Sequence, residues 1–225
     1  MKILEVKNIS KVYPAEHGPL QVLSDVSFDV EEGSWTMLIG ASGSGKTTLL
    51  QLLGILDRPD KGNIMYRGED YAKAGSSKAS KIRLKGVGFV FQSFNLLPEL
   101  TAIENIMLPG LFGKTKKSQV LKKAKELLEM VGLTDRATHK PAELSGGEQQ
   151  RIAICRALIN DPEIILADEP TGNLDPKTSD AIIKIFAKLR TDHGKTIVMV
   201  THDHDLKSNA TKVLQLEKGK IVKRA

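Results

Sequence analysis

The eight residues Gly40-Ala41-Ser42-Gly43-Ser44-Gly45-Lys46-Thr47 constrain this chain more than any other stretch. They fit G-x-x-x-x-G-K-[ST] and lie in the surroundings that pattern requires. Ahead of them, Trp35-Thr36-Met37-Leu38-Ile39 is short and almost continuously apolar, as expected of a strand buried on both faces of a parallel sheet. Behind them, the leucine-rich run from Thr47 to Ile55 reads as a helix. Glycines let backbone N–H groups curl around phosphate oxygens with no Cβ in the way. The helix start adds partial positive charge at the same point. Gly40, Ser42, Gly43, Ser44, Gly45, Lys46, Thr47 and Thr48 are therefore the candidate phosphate cradle. Within it, Lys46 is expected to reach the β- and γ-phosphates and the Thr47 hydroxyl to ligate Mg²⁺.

The rest of the chain supports an α/β fold. Residues 3–9 and 20–30 read as strands, as do Val87–Phe91, Ile164–Ala167 and Ile197–Val200. Residues 62–91 are expected to keep strand character throughout. From about 93 to 160 the pattern turns helical, with Val120, Leu121, Ala124, Leu127, Leu128 and Val131 at helical spacing. A further helix opens at Asp175-Pro176 and closes near Gly194, and the tail around Lys218-Gly219 reads as a hairpin. Strands alternating with helices argue for a parallel-sheet core interrupted by an inserted helical lobe.

Two adjacent carboxylates end the apolar strand Ile164-Ile165-Leu166-Ala167-Asp168-Glu169. Successive strand residues point opposite ways, so the two are expected to hold separate tasks. Asp168 is the candidate to hold Mg²⁺ through its water shell. Glu169 is the candidate to orient or deprotonate an attacking water.

The run Leu144-Ser145-Gly146-Gly147-Glu148-Gln149-Gln150-Arg151 contains a capping box, Ser145 with Glu148, so a helix is expected to begin at Ser145. Its first two positions would then be Gly146 and Gly147, each costing roughly 1 kcal/mol against alanine inside a helix, somewhat less in the first turn. Side-chain-free positions there make sense if a phosphate must approach the backbone. A second anion site on a domain that already has one suggests a nucleotide held between two molecules.

At Leu144–Arg151 the chain matches, without a mismatch, the signature of the ATP-binding cassette (ABC) family, and the resemblance extends over all 225 residues. It implies one ABC ATPase domain, residues 1–225, in a P-loop α/β fold with an N-terminal antiparallel β subdomain. Residues 1–92 and 161–225 would form the nucleotide-binding core, and 93–160 the helical subdomain. The resemblance further implies ATP hydrolysis with Mg²⁺, in a homodimer where the signature helix contacts the γ-phosphate held by the partner's loop. Ser145, Gly146 and Gly147 would make that contact. Gln92 resembles the Q-loop glutamine that senses Mg²⁺ and water, and is carried as a metal-site and catalytic candidate. Asp175 resembles the D-loop aspartate at the dimer interface, and is also a good N-cap for the helix starting at Pro176. His202 resembles the switch histidine on the γ-phosphate. The run His202-Asp203-His204-Asp205 also admits metal binding, though alternate residues diverge. Tyr13 resembles the aromatic that stacks on adenine; an ordinary core tyrosine is the other reading. Glu169, His202, Gln92 and Lys46 are thus the candidate catalytic set. Cys155 departs from the small residue common in the family and reads as a core residue.

No long apolar h-region opens the sequence and no 18 uninterrupted apolar residues occur, so neither a signal peptide nor a membrane span is expected. One cysteine rules out an internal disulfide framework and fits a reducing compartment. The net charge of +6 is too mild to choose a partner. The lysines at 114, 116, 117, 122, 123 and 125 read as a helix's solvated face or as a contact for anionic lipid or nucleic acid. Ser93–Thr101 places large apolar residues beside Gln92, either buried in the lobe or exposed for a partner. In ABC proteins that region receives a transmembrane subunit. A separate permease contacting Gln92–Thr101 is therefore expected, with the chain peripheral on the cytoplasmic face of the inner membrane. No nucleic-acid partner is expected, because the coiled coils or tandem cassettes of DNA- and ribosome-acting relatives are missing. The run from Phe89 to Ile106 resembles the subgroup serving lipoprotein release, macrolide efflux and cell division. An exporter or lipoprotein-release ATPase is the expected role, and a cell-division ATPase that signals without moving substrate is the alternative.

Overall fold

The computed structural model describes every residue except His17, Ala72, Lys73, His204 and Ala225. Its elements run β1 (Lys2–Tyr13), β2 (Leu20–Glu31), β3 (Trp35–Ile39), α1 (Lys46–Leu53), β4 (Lys61–Tyr66), β5 (Glu69–Asp70), α2 (Ser76–Gly86) and β6 (Val87–Val90). Then follow α3 (Ala102–Leu111), α4 (Lys117–Met130), α5 (Gly146–Leu158), β7 (Ile164–Asp168), α6 (Pro176–Thr191), β8 (Thr196–Thr201), β9 (Lys212–Glu217) and β10 (Lys220–Arg224).

The strands form two sheets. In one, β9, β3, β8, β7 and β6 pair in parallel, and β10 adds antiparallel to the β9 edge. In the other, β2, β1, β4 and β5 pair antiparallel in that order. Every residue of β3 and β8 is buried, which explains why these strands read as apolar runs rather than alternating ones. Their side chains divide between two cores. Trp35, Met37, Ile165, Ile197 and Met199 point toward the helices α3 to α6, where they meet Ile152 and Phe186. Leu38, Ile164, Leu166, Val198 and Val200 point the other way, toward α1 and the antiparallel sheet. The period-2 geometry of a strand thus lets one sheet serve both layers.

α6 follows from its sequence: Asp175 caps it, Pro176 takes its first position, and Ile182, Ile183, Phe186 and Leu189 form the buried stripe. α4 buries Val120, Ala124, Leu127 and Leu128 in the same way.

Two local expectations change. Residues 76–86 are a helix, not a strand. The segment carries the helix formers Lys78, Ala79, Lys81, Arg83, Leu84 and Lys85, but only Ala79 and Gly86 are buried, so no apolar stripe advertised it. The stretch 93–101 is not helical, and Asn105 of α3 organises it. The fully buried Asn105 amide donates to the carbonyls of Leu97, Leu100 and Thr101, each at 3.1 Å, and its Oδ1 accepts from the Leu97 N–H at 2.8 Å. Both readings of the apolar stretch hold in part: Leu96 packs on the core, while Leu97 is exposed.

Candidate active site

The turn from β3 into α1 carries the cradle residues. Gly45 caps α1 at φ 101°, a conformation that glycine adopts without the steric cost a side chain would bring. A Cβ there would also lie 2.9 Å from the Val22 carbonyl. Ala41, Ser42, Gly43 and Thr47 are exposed, whereas Ser44, Gly45 and Lys46 are buried. The turn between β9 and β10 braces the loop, with the Gly219 N–H donating to the Ser44 carbonyl at 3.1 Å. Lys46 Nζ donates to the carbonyls of Gly40 and Ala41 at 2.8 and 3.0 Å.

Two observations fit this loop to a polyphosphate. No side chain caps the α1 amides, which leaves them as donors for an anion. The buried Ser44 hydroxyl has no hydrogen-bond partner within the protein.

The carboxylates of 168 and 169 both turn toward this loop. Thr47 Oγ1 donates to Asp168 Oδ1 at 3.3 Å. Glu169 Oε1 stands 4.0 Å from Lys46 Nζ, and Glu169 Oε2 is 2.7 Å from His202 Nδ1. Strict alternation would have sent them to opposite faces. It fails because β7 ends at Asp168 and Glu169 takes φ 43°, its N–H donating to the Val200 carbonyl at 2.9 Å. A left-handed non-glycine residue at such a place is strained, costing of order 1–3 kcal/mol, and strain of this kind clusters at functional sites. The two carboxylates still touch different partners. Burial raises the Asp168 pKa, and the Glu169 charge adds to that, while the Thr47 bond opposes it. The Thr47 hydroxyl and the Asp168 carboxylate form a pair of hard oxygen donors, the kind that holds Mg²⁺ alongside substrate phosphates.

Gln92 lies just past β6 and meets Asn173 twice, once through its side-chain amide and once through its backbone carbonyl. Gln92 Nε2 donates to Asn173 Oδ1 at 3.3 Å, and Asn173 Nδ2 donates to the Gln92 carbonyl at 3.2 Å. It is thereby tied to the loop that leads from Glu169 to Asp175. Asp175 Oδ1 accepts from the Thr178 N–H at 3.0 Å as the N-cap of α6, which lowers its pKa. His202 is exposed, immediately after β8. His204 lies outside the described residues, and among the described residues no group of three metal-ligating side chains occurs.

At α5 the capping box forms in full. Ser145 Oγ accepts from the Glu148 N–H at 3.3 Å, and Glu148 Oε2 accepts from the Ser145 N–H at 2.9 Å. Arg136 Nε adds a contact to Glu148 at 3.0 Å, and these bonds lower the Glu148 pKa to about 2. The two glycines differ. A Cβ on Gly147 would sit 2.4 Å from Thr178 Cγ2, so this position is bare because α5 packs against α6. Gly146 would meet only ordinary contacts at 3.4 and 3.6 Å. Packing therefore accounts for Gly147, whereas nothing in the packing requires Gly146 to be bare.

Tyr13, at the end of β1, is half-buried rather than part of the core. Its hydroxyl donates to Asp57 Oδ2 at 2.7 Å, and Lys11 Nζ lies 5.0 Å above its ring. Burial first, then Asp57, push the hydroxyl up to about 12, with the Thr48 side chain opposing. Sequence reasoning missed Asp57. It also missed Gln150, whose buried amide donates to the Pro170 carbonyl at 2.7 Å and joins α5 to the turn after Glu169. The run Gly54-Ile55-Leu56-Asp57 carries a family likeness in the sequence, but the bond from Tyr13 to Asp57 is legible only once the fold brings β1 beside it.

Fold and site together define a phosphate-loop nucleotide-binding protein. Residues 23–172 match the sequence model of the family described as ABC transporter. Over 220 residues the chain is 48% identical to an uncharacterized ABC transporter ATP-binding protein of Thermotoga maritima, covering 98% of this chain and 94% of that one. It is 46% identical over 220 residues to the lipoprotein-releasing system ATP-binding protein LolD of Geobacter metallireducens, covering 98% of each. The fold superposes with a TM-score of 0.91 and 40% identity on the ATP-binding cassette MJ0796, solved as a dimer in a post-hydrolysis state bound to ADP and Pi, over 99% of this chain and 97% of that one. The chain belongs to the ABC transporter family as an ATP-binding subunit and is an ATP hydrolase.

Proposed function

We propose that two copies of the chain close around two ATP molecules, Lys46 of one copy and the Ser145 turn of the other gripping the same terminal phosphate. What supports this reading is that no side chain caps the α1 start, and that Gly146 in the first turn of α5 is bare although packing does not require it. The solved relative MJ0796 is itself a dimer with ADP and Pi.

In this reading Tyr13 stacks on the adenine, and Gly40, Ser42, Gly43, Ser44, Gly45 and Thr48 cradle the phosphates. Thr47 and Asp168 would hold Mg²⁺, with Gln92 reporting on it. Mg²⁺, when bound, supplies positive charge against the charge building on the transferred phosphoryl group. Glu169 orients the attacking water and accepts its proton. His202 fixes one oxygen of that carboxylate and contacts the γ-phosphate. Asp175 lies at the dimer interface while capping α6. We assign residues 1–92 and 161–225 to the nucleotide-binding core and 93–160 to the helical subdomain.

The partner in this reading is a separate permease. A cleft of about 610 Å³ between α2, β6 and α5 carries Arg83, Phe89, Phe91, Asn95 and Arg156 on its walls. Phe89 and Phe91 stack at 5.6 Å, and Arg156 fixes the cleft rim by donating to the carbonyls of Phe94 and Asn95. An apolar cleft with such a rim, beside Gln92, suits a cytoplasmic loop of a membrane protein. Among the described residues no helix is long and apolar enough to cross a membrane. The chain would then sit peripherally on the cytoplasmic face, with no nucleic-acid partner. Its likeness to LolD supports an export or lipoprotein-release role. Purifying the chain with its membrane partner tests this: ATP turnover should change with the permease present, and Phe91→Glu should abolish association. Unchanged turnover and undiminished association in that variant would overturn the docking assignment.

A further inference from the structure

A second cleft, of about 900 Å³, adjoins the first and shares Leu84, Phe112 and Asn160 with it. Four lysines line it: Lys81 and Lys85 of α2, Lys114 of the α3–α4 turn, and Lys123 of α4. Its apolar walls include Val120 and Ile159. Among the described residues no carboxylate pairs at close range with Lys81, Lys85 or Lys114, and Lys123 acts on Asp161 only from a distance. The cleft's one carboxylate, Asp161, is already paired with Lys195 at 2.8 Å. Phe112 is 73% exposed at the cleft's mouth, with Leu111 43% exposed beside it.

We propose that this cleft rests on an anionic membrane surface, its lysines taking lipid phosphates while Phe112 and Leu111 enter the headgroup layer. Charge and shape both favour that occupant. Unpaired lysines beside exposed apolar and aromatic side chains are the make-up of interfacial membrane contacts. Continuity with the cleft assigned to the permease places the surface on the same side of the molecule. The proposal rests on that assignment for its orientation, yet its test needs no permease, so each can fail alone. Each lysine near an anionic surface is expected to strengthen binding roughly fivefold.

The test floats the full chain with vesicles of phosphatidylcholine, alone or mixed with phosphatidylglycerol. Binding to the mixed vesicles and not to the neutral ones is expected, weakening as salt is raised. Combining Lys81→Gln, Lys85→Gln and Lys114→Gln should weaken it on the order of a hundredfold, with ATP hydrolysis in solution retained as evidence of folding. Combining Lys177→Gln, Lys184→Gln and Lys188→Gln, which are exposed on α6 and do not line the cleft, should leave it within about twofold of the parent. Phe112→Trp supplies a local reporter, since the native Trp35 is fully buried, and its emission should shift to the blue on mixed vesicles only. Equal binding to both vesicle types would overturn the proposal, and binding to neither would overturn it in favour of an acidic segment of a protein as the cleft's occupant. Equal loss from the α6 variant would overturn it too, by reducing the effect to net charge.

Discussion

His202 Nδ1 stands 2.7 Å from one oxygen of Glu169, and the other oxygen of that carboxylate lies 4.0 Å from Lys46 Nζ. The carboxylate is thus held between a histidine from the end of β8 and the lysine of the phosphate loop. This geometry suits a base that must face a water at the terminal phosphate without wandering. Glu169→Gln keeps the shape and removes the basicity. Turnover should fall by about 10²–10⁴-fold while ATP binding persists, and a nucleotide-trapped dimer should accumulate on size exclusion. Near-normal hydrolysis in the variant would remove Glu169 from the role.

Tyr13 leads to a second expectation. Asp57 binds its hydroxyl at 2.7 Å and is itself held by Lys11 Nζ at 2.9 Å. Because Asp57 follows α1, which starts at Lys46, the bond ties the adenine platform to the phosphate loop. Asp57→Ala should raise KM for ATP several-fold with kcat nearly unchanged. Its affinity for inorganic tripolyphosphate, which has no base to stack, should stay the same. Tyr13→Ala serves as the reference: if it leaves ATP and tripolyphosphate equally affected, Tyr13 is not the platform. If Tyr13→Ala separates them and Asp57→Ala does not, Asp57 has no part in positioning it.

The contrast between Lys46 and Asp57 illustrates what the sequence makes legible. Local chemistry reads well: the loop at 40–47, the capping box at Ser145 and the cap at Asp175 all appear as expected because their partners lie within a few residues. β3, β7 and β8 were legible because burial on both faces leaves a continuous apolar run. α2 was not, since a helix with so little buried surface carries no period to detect. Nor was the turn at Glu169, where a left-handed residue redirects a side chain that alternation sends elsewhere. Tyr13–Asp57, Gln92–Asn173 and Gln150–Pro170 join residues 44, 81 and 20 positions apart, and only the fold brings them together.

The two signature glycines should separate in a stability experiment. Gly147→Ala drives a methyl into Thr178 Cγ2 and should cost about 1–3 kcal/mol, seen as a lower Tm. Gly146→Ala meets only ordinary contacts, so its Tm should hold while nucleotide-dependent dimerisation weakens. Pairing Gly147→Ala with Thr178→Ser removes the offending methyl and should recover most of the lost stability. Equal Tm values for the two single variants would refute packing as the reason for Gly147.

Glu148 sets a pH dependence whose sign can be worked out. Its carboxyl is held at about 2 by the Ser145 bonds and Arg136, below the ordinary value of 4.5. A depressed folded-state pKa means the folded form prefers the ionised group. The stabilisation is therefore complete above about pH 4.5 and is lost as pH falls toward 2. Across that window the native chain should lose stability faster than Glu148→Gln, which keeps hydrogen bonding to Ser145 but carries no charge to protonate. Urea midpoints taken at pH 6, 4 and 3 would reveal this as a gap between the two proteins that closes on acidification. A gap that stays constant would place the cause of the low pKa elsewhere and leave the capping box without its charged half.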